Sequence, residues 1–314
     1  MINLTLKQFR YFEALARHLH FGHAADACAI SQPALSMQIK ELEQTLGMPL
    51  FERAARHVRL SSFGEDFAVR VRDILRSVDE LEELALASHG RLGGRLRIGV
   101  IPTIAPYLLP TLITRLTEMN SDIDIHLRET VTTKLIAEVI DGRLDTAILA
   151  LPISEPSLQE MALLSEDFVL VRPNKDAALP VPNRENLREM RLLLLEEGHC
   201  FRDQALSFCN VPSGQPREML DASSLSTLVQ MVSAGIGVTL IPQMAVSVET
   251  RMRPVSVARF AGEQPKRTIG MIWRKTSPLA KLLLQVAEVV RGSALALQTQ
   301  NDLQQSSEEN GALR

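Results

Sequence analysis

Two of the chain's three cysteines lie in one short segment, EEGHCFRDQALSFCN, at residues 196–210. Cys200 directly follows His199, and Cys209 comes nine residues later, with charged side chains in between. A cysteine in such a setting can ligate a metal, attack a substrate as a thiolate, switch between thiol and disulfide, or simply fill a core. The segment therefore leaves four chemical interpretations open.

The residue types around each cysteine favour some of these interpretations. Structural zinc sites usually place two cysteines a few residues apart and repeat the pair, whereas here His199 and Cys200 are adjacent and Cys209 is distant. An inert core position suits Cys28, which lies in the alanine-rich segment HAADACA. Cys200 has charged neighbours, and a cation or a helix N-terminus beside a thiol favours the reactive thiolate.

The spacing of the two cysteines determines how they could react with each other. If the segment between them is helical, nine residues separate Cys200 from Cys209 by about 13.5 Å along the axis and place them on opposite faces. A disulfide needs Cα atoms within about 7 Å of each other. The helix would have to unwind before the two could pair, so oxidation would be coupled to a local change of fold.

Strand-like and helix-like segments alternate on both sides of these cysteines. The runs RLRIGVI, LDTAILAL, DFVLVRP, RLLLLEEG, GVTLIP and RTIGMIW are typical of strands, whereas TTKLIAEVIDG and LSTLVQMVSAG have helical spacing. This alternation predicts an α/β fold with parallel sheets and helical crossovers. We expect two α/β lobes with a cleft between them, over residues 90–300.

The first sixty residues have a different pattern, that of a small helical head. Residues 5–18 and 23–29 predict two helices. A third begins after the N-cap residue Ser31, has Pro33 in its first turn and ends at Gly47. Two helices joined by a tight turn, the second with a polar outer face, are typical of a helix-turn-helix.

The third helix and the segment after it carry the candidate DNA contacts. On the helix these are Gln32, Pro33, Ser36 and Lys40. Glutamine and serine can read base edges, lysine can reach phosphate, and a proline ring can touch a thymine methyl group. Two short extended pieces around Arg53 and Arg56 predict a wing that contacts phosphates.

A long helix is expected to follow the head. Its apolar residues repeat at intervals of four and three, as in a coiled coil, at Phe67, Val71, Ile74, Val78 and Leu81. This seam predicts a dimer. The resulting domains are a winged helix-turn-helix at 1–61, a linker and dimerisation helix at 62–89, a regulatory domain at 90–300 and a polar tail at 301–314. Residues 298–314 are expected to be frayed or disordered.

Charge distribution and composition limit the classes of function that fit this chain. The chain has a net charge of −3, but residues 1–60 carry seven Lys or Arg against five Asp or Glu, a local charge of +2. A weakly basic head on an acidic body fits DNA binding. No apolar run reaches the roughly 18 residues of a membrane span, and the N-terminus lacks the features of a signal peptide. We expect a cytoplasmic protein without metal or cofactor that is not an enzyme.

The head segment FGHAADACAISQPALSMQIKELEQTLGMPLFERAARHVRLSSFG closely resembles that of LysR-type transcriptional regulators. The resemblance extends over nearly the whole chain. It implies a winged helix-turn-helix head, a linker-helix dimer and a two-lobed α/β regulatory domain of the periplasmic-binding-protein type. It also implies double-stranded promoter DNA and RNA polymerase as partners, and homodimers that assemble into a homotetramer.

Within that family, the segments GHCFRDQALSFC, IGVIPTIAPYLLP and SAGIGVTLIP resemble the members that sense hydrogen peroxide. The resemblance implies that Cys200 is oxidised to a sulfenic acid and that Cys209 then forms a disulfide with it. The peroxide pocket that it implies consists of Thr103, Thr132, His199, Arg202, Asp203 and Arg267. Thr130 and Thr133 remain alternatives to Thr132, because the run ETVTTK offers three threonines.

Other functions use similar lobes. A LysR-type regulator could bind a small metabolite in the cleft, with the cysteines incidental. A thiol peroxidase would have no use for a DNA-binding head, and a solute-binding protein would need a secretion signal. A DNA footprint that changes with peroxide alone would distinguish the peroxide sensor from the metabolite sensor.

Overall fold

The structure, a computed structural model, describes residues 3–54, 57–87, 94–183, 186–187, 190–208, 221–260 and 264–311. Two compact units make up the chain, Met1–Ala85 and Leu86–Arg314. Each has its own apolar core. Within the described residues, no helix is long and apolar enough to cross a membrane.

The first unit is a three-helix head with a hairpin and a long fourth helix. Its elements are α1 Leu6–His18, α2 Phe21–Ala27, α3 Gln32–Leu46, β1 Phe51–Ala54, β2 His57–Leu60 and α4 Ser62–Ala87. Strands β1 and β2 pair antiparallel, as a wing would. Ser31 caps α3 and Gly47 ends it in the left-handed conformation, as predicted.

The second helix is displaced from its predicted bounds of 23–29. It begins at Phe21 because the side chain of His20 acts as its N-cap, accepting hydrogen bonds from the backbone N–H groups of Gly22 and His23. It ends at Ala27, and Ala29 adopts a positive φ of 52° just beyond. Because the usual N-cap residues are Ser, Thr, Asp and Asn, a histidine at this position does not mark the start of a helix in the sequence.

The apolar seam predicted along α4 divides into two parts. Phe67 packs edge-on against Phe12, and Val71 is buried in the core of the head. Ile74 and Leu81, by contrast, are 42% and 65% exposed. The prediction that all five seam residues face a partner is therefore wrong for Phe67 and Val71, which the head itself covers.

The second unit contains the remaining elements. These are β3 Gly94–Val100, α5 Ala105–Met119, β4 Ile123–Glu129, α6 Thr132–Ile140, β5 Thr146–Leu151, β6 Leu158–Pro173, β7 Leu194–Leu195, α7 Cys200–Phe208, β8 Asp221–Ala222, α8 Leu225–Ser233, β9 Thr239–Pro242, α9 Val246–Glu249, β10 Val255–Ala258, β11 Lys266–Arg274 and α10 Ala280–Gly311. The first lobe is built on β3, β4 and β5, and the second on β7 to β10.

The prediction of parallel sheets with helical crossovers is correct for only part of the unit. Strand β3 does pair parallel with both β4 and β5, joined by helical crossovers. The long strands β6 and β11 instead run antiparallel to each other, and β11 runs antiparallel to β5. The second half of β6 then pairs antiparallel with β9 and β10. Strand β6 therefore joins the two lobes as one continuous strand, which needs no helical crossover.

Two further expectations need correction. The run RLLLLEEG forms only the two-residue strand Leu194–Leu195, which pairs parallel with Asp221–Ala222. The final helix continues to Gly311, so the expected fraying of residues 298–314 is wrong as far as Gly311. No Gly or Pro interrupts the chain between Gly292 and Gly311, and its Gln, Leu, Ala and Glu residues are good helix formers.

Candidate functional site

Cys200 is the first residue of helix α7, so the segment that follows it is helical as far as Phe208. The chain leaves β7 and turns at Gly198, whose φ of 93° suits glycine and disfavours residues with a Cβ. This turn places His199 and Cys200 at the start of the helix. Cys200 is half-buried and packs against the main core of the second unit. Cys209 lies outside the described residues.

A buried arginine organises the neighbouring part of the site. Arg267, on β11, forms an ion pair with Glu166 at 2.8 Å, and both side chains are almost completely buried. Its Nη1 donates to the Thr103 hydroxyl oxygen at 2.7 Å, and its Nη2 donates to the Thr103 carbonyl at 3.1 Å. Since the Thr103 oxygen accepts from arginine, its own proton remains available for another acceptor.

Aromatic contacts connect this arginine to helix α7. The guanidinium of Arg267 lies over the ring of Phe168, 5.9 Å from its centroid. Phe168 in turn packs edge-on against Phe201, with 4.9 Å between ring centroids. Phe201 is the residue after Cys200, so the buried ion pair and the thiol-bearing helix share one packed region.

Thr103 and His199 line one cavity of about 320 Å³ between the lobes. The cavity wall also includes Thr130, together with Ser223, Ser224 and Ser226 of the second lobe. Burial lowers the pKa of His199 below its ordinary value, while the nearby Glu196 carboxylate acts in the opposite direction. The imidazole is therefore neutral at pH 7, with one nitrogen that donates and one that accepts.

Two buried side-chain oxygens in the second unit have unused hydrogen-bonding capacity, although neither residue is among those that line the cavity. Thr132 Oγ1 and Gln204 Oε1 are both buried, and neither has a hydrogen-bond partner among the described residues. Gln204 was missed by the sequence reasoning. It lies four residues after Cys200 in α7, on the same helical face. That spacing was a usable signal, but the burial that makes it informative was not visible in the sequence.

Arg202 and Asp203 are placed differently from the expectation. Arg202 donates to Asp221 at 2.6 Å and to the Leu195 carbonyl at 2.8 Å, which ties α7 to strands β7 and β8. Asp203 is exposed. Of the predicted pocket residues, Thr103 and His199 line the cavity, as does the alternative Thr130. The residues that do not line it are Cys200, Thr132, Arg202, Asp203 and Arg267. Arg202 therefore anchors the helix and does not direct its charge into the cavity.

A buried carboxylate, that of Glu249, lies on the cavity wall. Glu249 accepts hydrogen bonds from the Tyr107 hydroxyl at 2.9 Å and from the Ser226 hydroxyl at 2.6 Å. Burial, together with the Glu249 charge, raises the pKa of Tyr107, so the phenol stays protonated. These bonds join α5 of the first lobe to α8 and α9 of the second, which fixes one side of the cleft.

The candidate DNA contacts lie on the surface of the head. Gln32, Pro33 and Lys40 are exposed on α3, and Ser36 is half-buried. Arg53 lies in strand β1. Arg56 lies outside the described residues. In the part of the chain that the structure describes, no three His, Cys, Asp or Glu residues cluster as metal ligands would.

Comparison with known proteins matches both units to one family. Residues 6–65 match the model described as "Bacterial regulatory helix-turn-helix protein, lysR family", and residues 89–294 match "LysR substrate binding domain". A probable hydrogen peroxide-inducible genes activator of Streptomyces viridosporus is 42% identical, over 91% of this chain and 93% of that protein. The DNA-binding transcriptional dual regulator OxyR of Escherichia coli K12 is 39% identical, over 92% and 95% of the two chains.

Solved structures agree with this assignment. A cysteine variant of full-length OxyR from Pseudomonas aeruginosa has a TM-score of 0.74 at 35% identity, covering 92% of this chain and 95% of that one. A hydrogen-peroxide-bound cysteine variant of OxyR from Corynebacterium glutamicum has a TM-score of 0.67 at 33% identity, covering 96% of each chain. The chain therefore belongs to the LysR family of bacterial helix-turn-helix transcriptional regulators.

Proposed function

We propose that this regulator senses hydrogen peroxide through oxidation of Cys200. The observation that carries the proposal is the placement of Cys200 at the start of α7, directly after His199, which lines the same cavity as Thr103. The similarity to peroxide-inducible activators over more than nine-tenths of the chain supports it. The thiol, the hydroxyl and the imidazole together provide a nucleophile and two hydrogen-bond donors for a small uncharged oxidant.

The chemistry proceeds in two balanced steps. The Cys200 thiolate attacks one peroxide oxygen, the O–O bond breaks, and the other oxygen leaves as hydroxide and takes up a proton to become water. Thr103 directs its free proton, and His199 its N–H, towards the peroxide oxygens. Gln204 Oε1 and Thr132 Oγ1 accept from the peroxide or from the new sulfenic acid, since both are buried without partners in the described residues.

In the second step, the Cys209 thiolate attacks the sulfenic sulfur of Cys200. An S–S bond forms, the S–O bond breaks, and hydroxide leaves and takes up a proton, equivalent to the one that Cys209 lost on ionising, to become water. While Cys200–Phe208 is helical, α7 holds its two ends too far apart for a disulfide between Cys200 and the residue that follows the helix. The helix therefore has to unwind first. That unwinding is the step by which a chemical signal becomes a structural one.

The proposal includes the partners that such a regulator needs. In the cytoplasm, a homodimer formed through α4 presents two heads to promoter DNA, and two dimers form a homotetramer that acts on RNA polymerase. The exposed Ile74 and Leu81, seven residues apart on α4, support the dimer. Exposed Gln32, Pro33 and Lys40 on α3 support contact with DNA bases and phosphates, together with Ser36 and the wing arginines Arg53 and Arg56.

DNA footprinting of the full-length protein before and after peroxide tests the proposal. The probe is a genomic fragment selected by the reduced protein. The parent and a Cys28→Ser control should both change their footprint with peroxide, whereas Cys200→Ser should not. Cys209→Ser should form the sulfenic acid but no lasting disulfide. A Cys200→Ser protein whose footprint still responds to peroxide would overturn the proposal.

The cavity favours one second candidate, a regulator that binds a small metabolite between the lobes. At about 320 Å³ the cavity is far larger than peroxide needs, and the buried Glu249 carboxylate on its wall could bind a donor group. Cys200→Ser exposed to a catalase-treated small-molecule extract tests this candidate. A footprint change under those conditions favours the metabolite, and an unchanged footprint removes it.

A further inference from the structure

Helix α3 has one strongly exposed apolar side chain on its outer face, that of Met37. Leu35, Ile39 and Leu42 bury one face of this helix completely. At about 100° per residue, Met37 lies roughly opposite that face. Its side chain is 64% exposed, the most exposed large apolar side chain on α3. It is flanked on the surface by the exposed Pro33, one turn before it, and by Lys40, one turn after it.

A single exposed methionine is unremarkable on most surfaces, but this one lies where the helix meets DNA. In a helix-turn-helix, the first turns of the second helix enter the major groove and contact base edges. Met37 is the sixth residue of α3, in its second turn, so it is within the part of the helix that enters the groove. Its neighbours on this face can contact phosphates and bases, whereas a thioether is only a weak hydrogen-bond acceptor.

The major groove offers such a side chain one apolar partner. Of the four bases, only thymine presents a methyl group there, at C5, while the other edges present hydrogen-bond donors and acceptors. Methionine is unbranched and has three rotatable bonds, so it can adapt to a methyl group at the floor of the groove. We propose that Met37 is a specificity-determining residue that selects a thymine in each half-site by packing against its C5-methyl group.

This inference rests on the family's DNA binding and not on peroxide sensing, and its test uses reduced full-length protein. Duplexes that bind tightly are selected from a random pool. Each thymine of the selected site is then replaced by deoxyuridine, which lacks only the methyl group. For the parent, we expect one replacement per half-site to weaken binding about fourfold, the value for one methyl group removed from water.

The same thymine and deoxyuridine duplexes are then measured with Met37→Ala, which completes a double-mutant cycle between the side chain and the methyl group. Alanine is the best helix former and the position is exposed, so the head should keep its circular dichroism and its affinity for random DNA. Its affinity for the selected site should fall, and deoxyuridine at the critical thymine should then have no further effect. Met119→Ala, at a half-exposed methionine in the second unit, should keep the parent pattern. A parent protein insensitive to every replacement, or a Met37→Ala protein with the parent's sensitivity, would overturn the inference.

Discussion

Among single residues, Thr103 has the most constrained role in the proposed site. Arg267 donates to its oxygen, and Glu166 fixes Arg267 through a buried ion pair. The three groups come from strands or turns far apart in sequence and meet where β6 and β11 pass between the lobes. Because one lone-pair direction of Thr103 is already used, its hydroxyl proton is directed away from Arg267 and is available to the cavity.

Replacing Thr103 tests this role. Thr103→Val removes the donor while keeping the shape, and we expect the rate constant for oxidation of Cys200 to fall about 10²-fold, as on loss of one positioned donor. Timed thiol labelling in a background lacking Cys28 and Cys209 measures this rate. Thr103→Ser keeps the hydroxyl and should keep most of the rate. A valine variant within twofold of the parent would contradict a donor role for Thr103.

His199 should titrate below an ordinary histidine. Burial lowers its pKa in the folded protein. In the unfolded chain the imidazole has its ordinary pKa of about 6.5, so at that pH it is half protonated when unfolded and mostly neutral when folded. The resulting stability is present above pH 6.5 and is lost as pH falls through the folded pKa. The ring protons of His199 are assigned by their loss in His199→Asn, and those of the exposed His18 by their loss in His18→Asn. NMR titration should then give His199 a midpoint below 6.5. A midpoint at or above 6.5 would show that the ring is not desolvated.

At the residue scale, part of the proposed site could be predicted from the sequence. Cys200, His199, Thr103 and Arg267 were identified through the resemblance to the family. Glu166 and Gln204 were not identified. Glu166 matters through its buried pairing with Arg267, 101 residues away in the sequence. Gln204 matters through a buried oxygen that has no partner among the described residues. The pairing of Arg202 with Asp221 was not predicted, since it requires strands β7 and β8 to be side by side.

Among the elements, helix α7 is the one that the proposed switch must unwind. Ser207 is exposed on it and allows its helical stability to be changed without altering the core. Ser207→Ala should stabilise the helix by about 0.5 kcal/mol and slow disulfide formation about twofold, and Ser207→Gly should accelerate it. Both variants should form the sulfenic acid at the parent rate. Equal disulfide rates for alanine and glycine would show that unwinding of α7 does not limit the reaction.

The linker helix α4 makes a separate prediction about assembly. Ile74 and Leu81 are exposed and seven residues apart, so they share a helical face. Ile74→Glu with Leu81→Glu should place charges in the dimer seam and yield a lower-mass species in sedimentation velocity. Val69→Glu, on a different face of the same helix, is the matched control and should leave the mass unchanged. A double variant with the parent's mass would place the interface elsewhere.

At the scale of the whole molecule, local patterns predicted the elements better than their arrangement. Helical spacing, the Ser31 cap and the Gly47 stop located α3, and the apolar runs located β3, β5, β9 and β11. The antiparallel pairing of β6 with β11 could not be read from them, because pairing depends on contacts between strands about 100 residues apart. The same limit hid the cavity, whose wall combines residues of both lobes.

Strand β6 also suggests how a change at α7 reaches the rest of the second unit. Phe168 on this strand touches Phe201 at the start of α7, and Phe208 at the end of α7 touches Phe260. Unwinding α7 would therefore remove aromatic contacts at both of its ends while leaving the strand pairing between the lobes intact.

The most direct test is to map the thiols of the full-length reduced protein before and after one equivalent of hydrogen peroxide. Alkylation followed by mass spectrometry reports which cysteines have reacted. We predict that Cys200 and Cys209 lose their labels together and appear as one intramolecular disulfide, while Cys28, which is partly buried in the head and whose pKa is raised by burial, stays labelled. Cys200 that remains fully alkylatable, or a disulfide that involves Cys28 instead, would contradict the account.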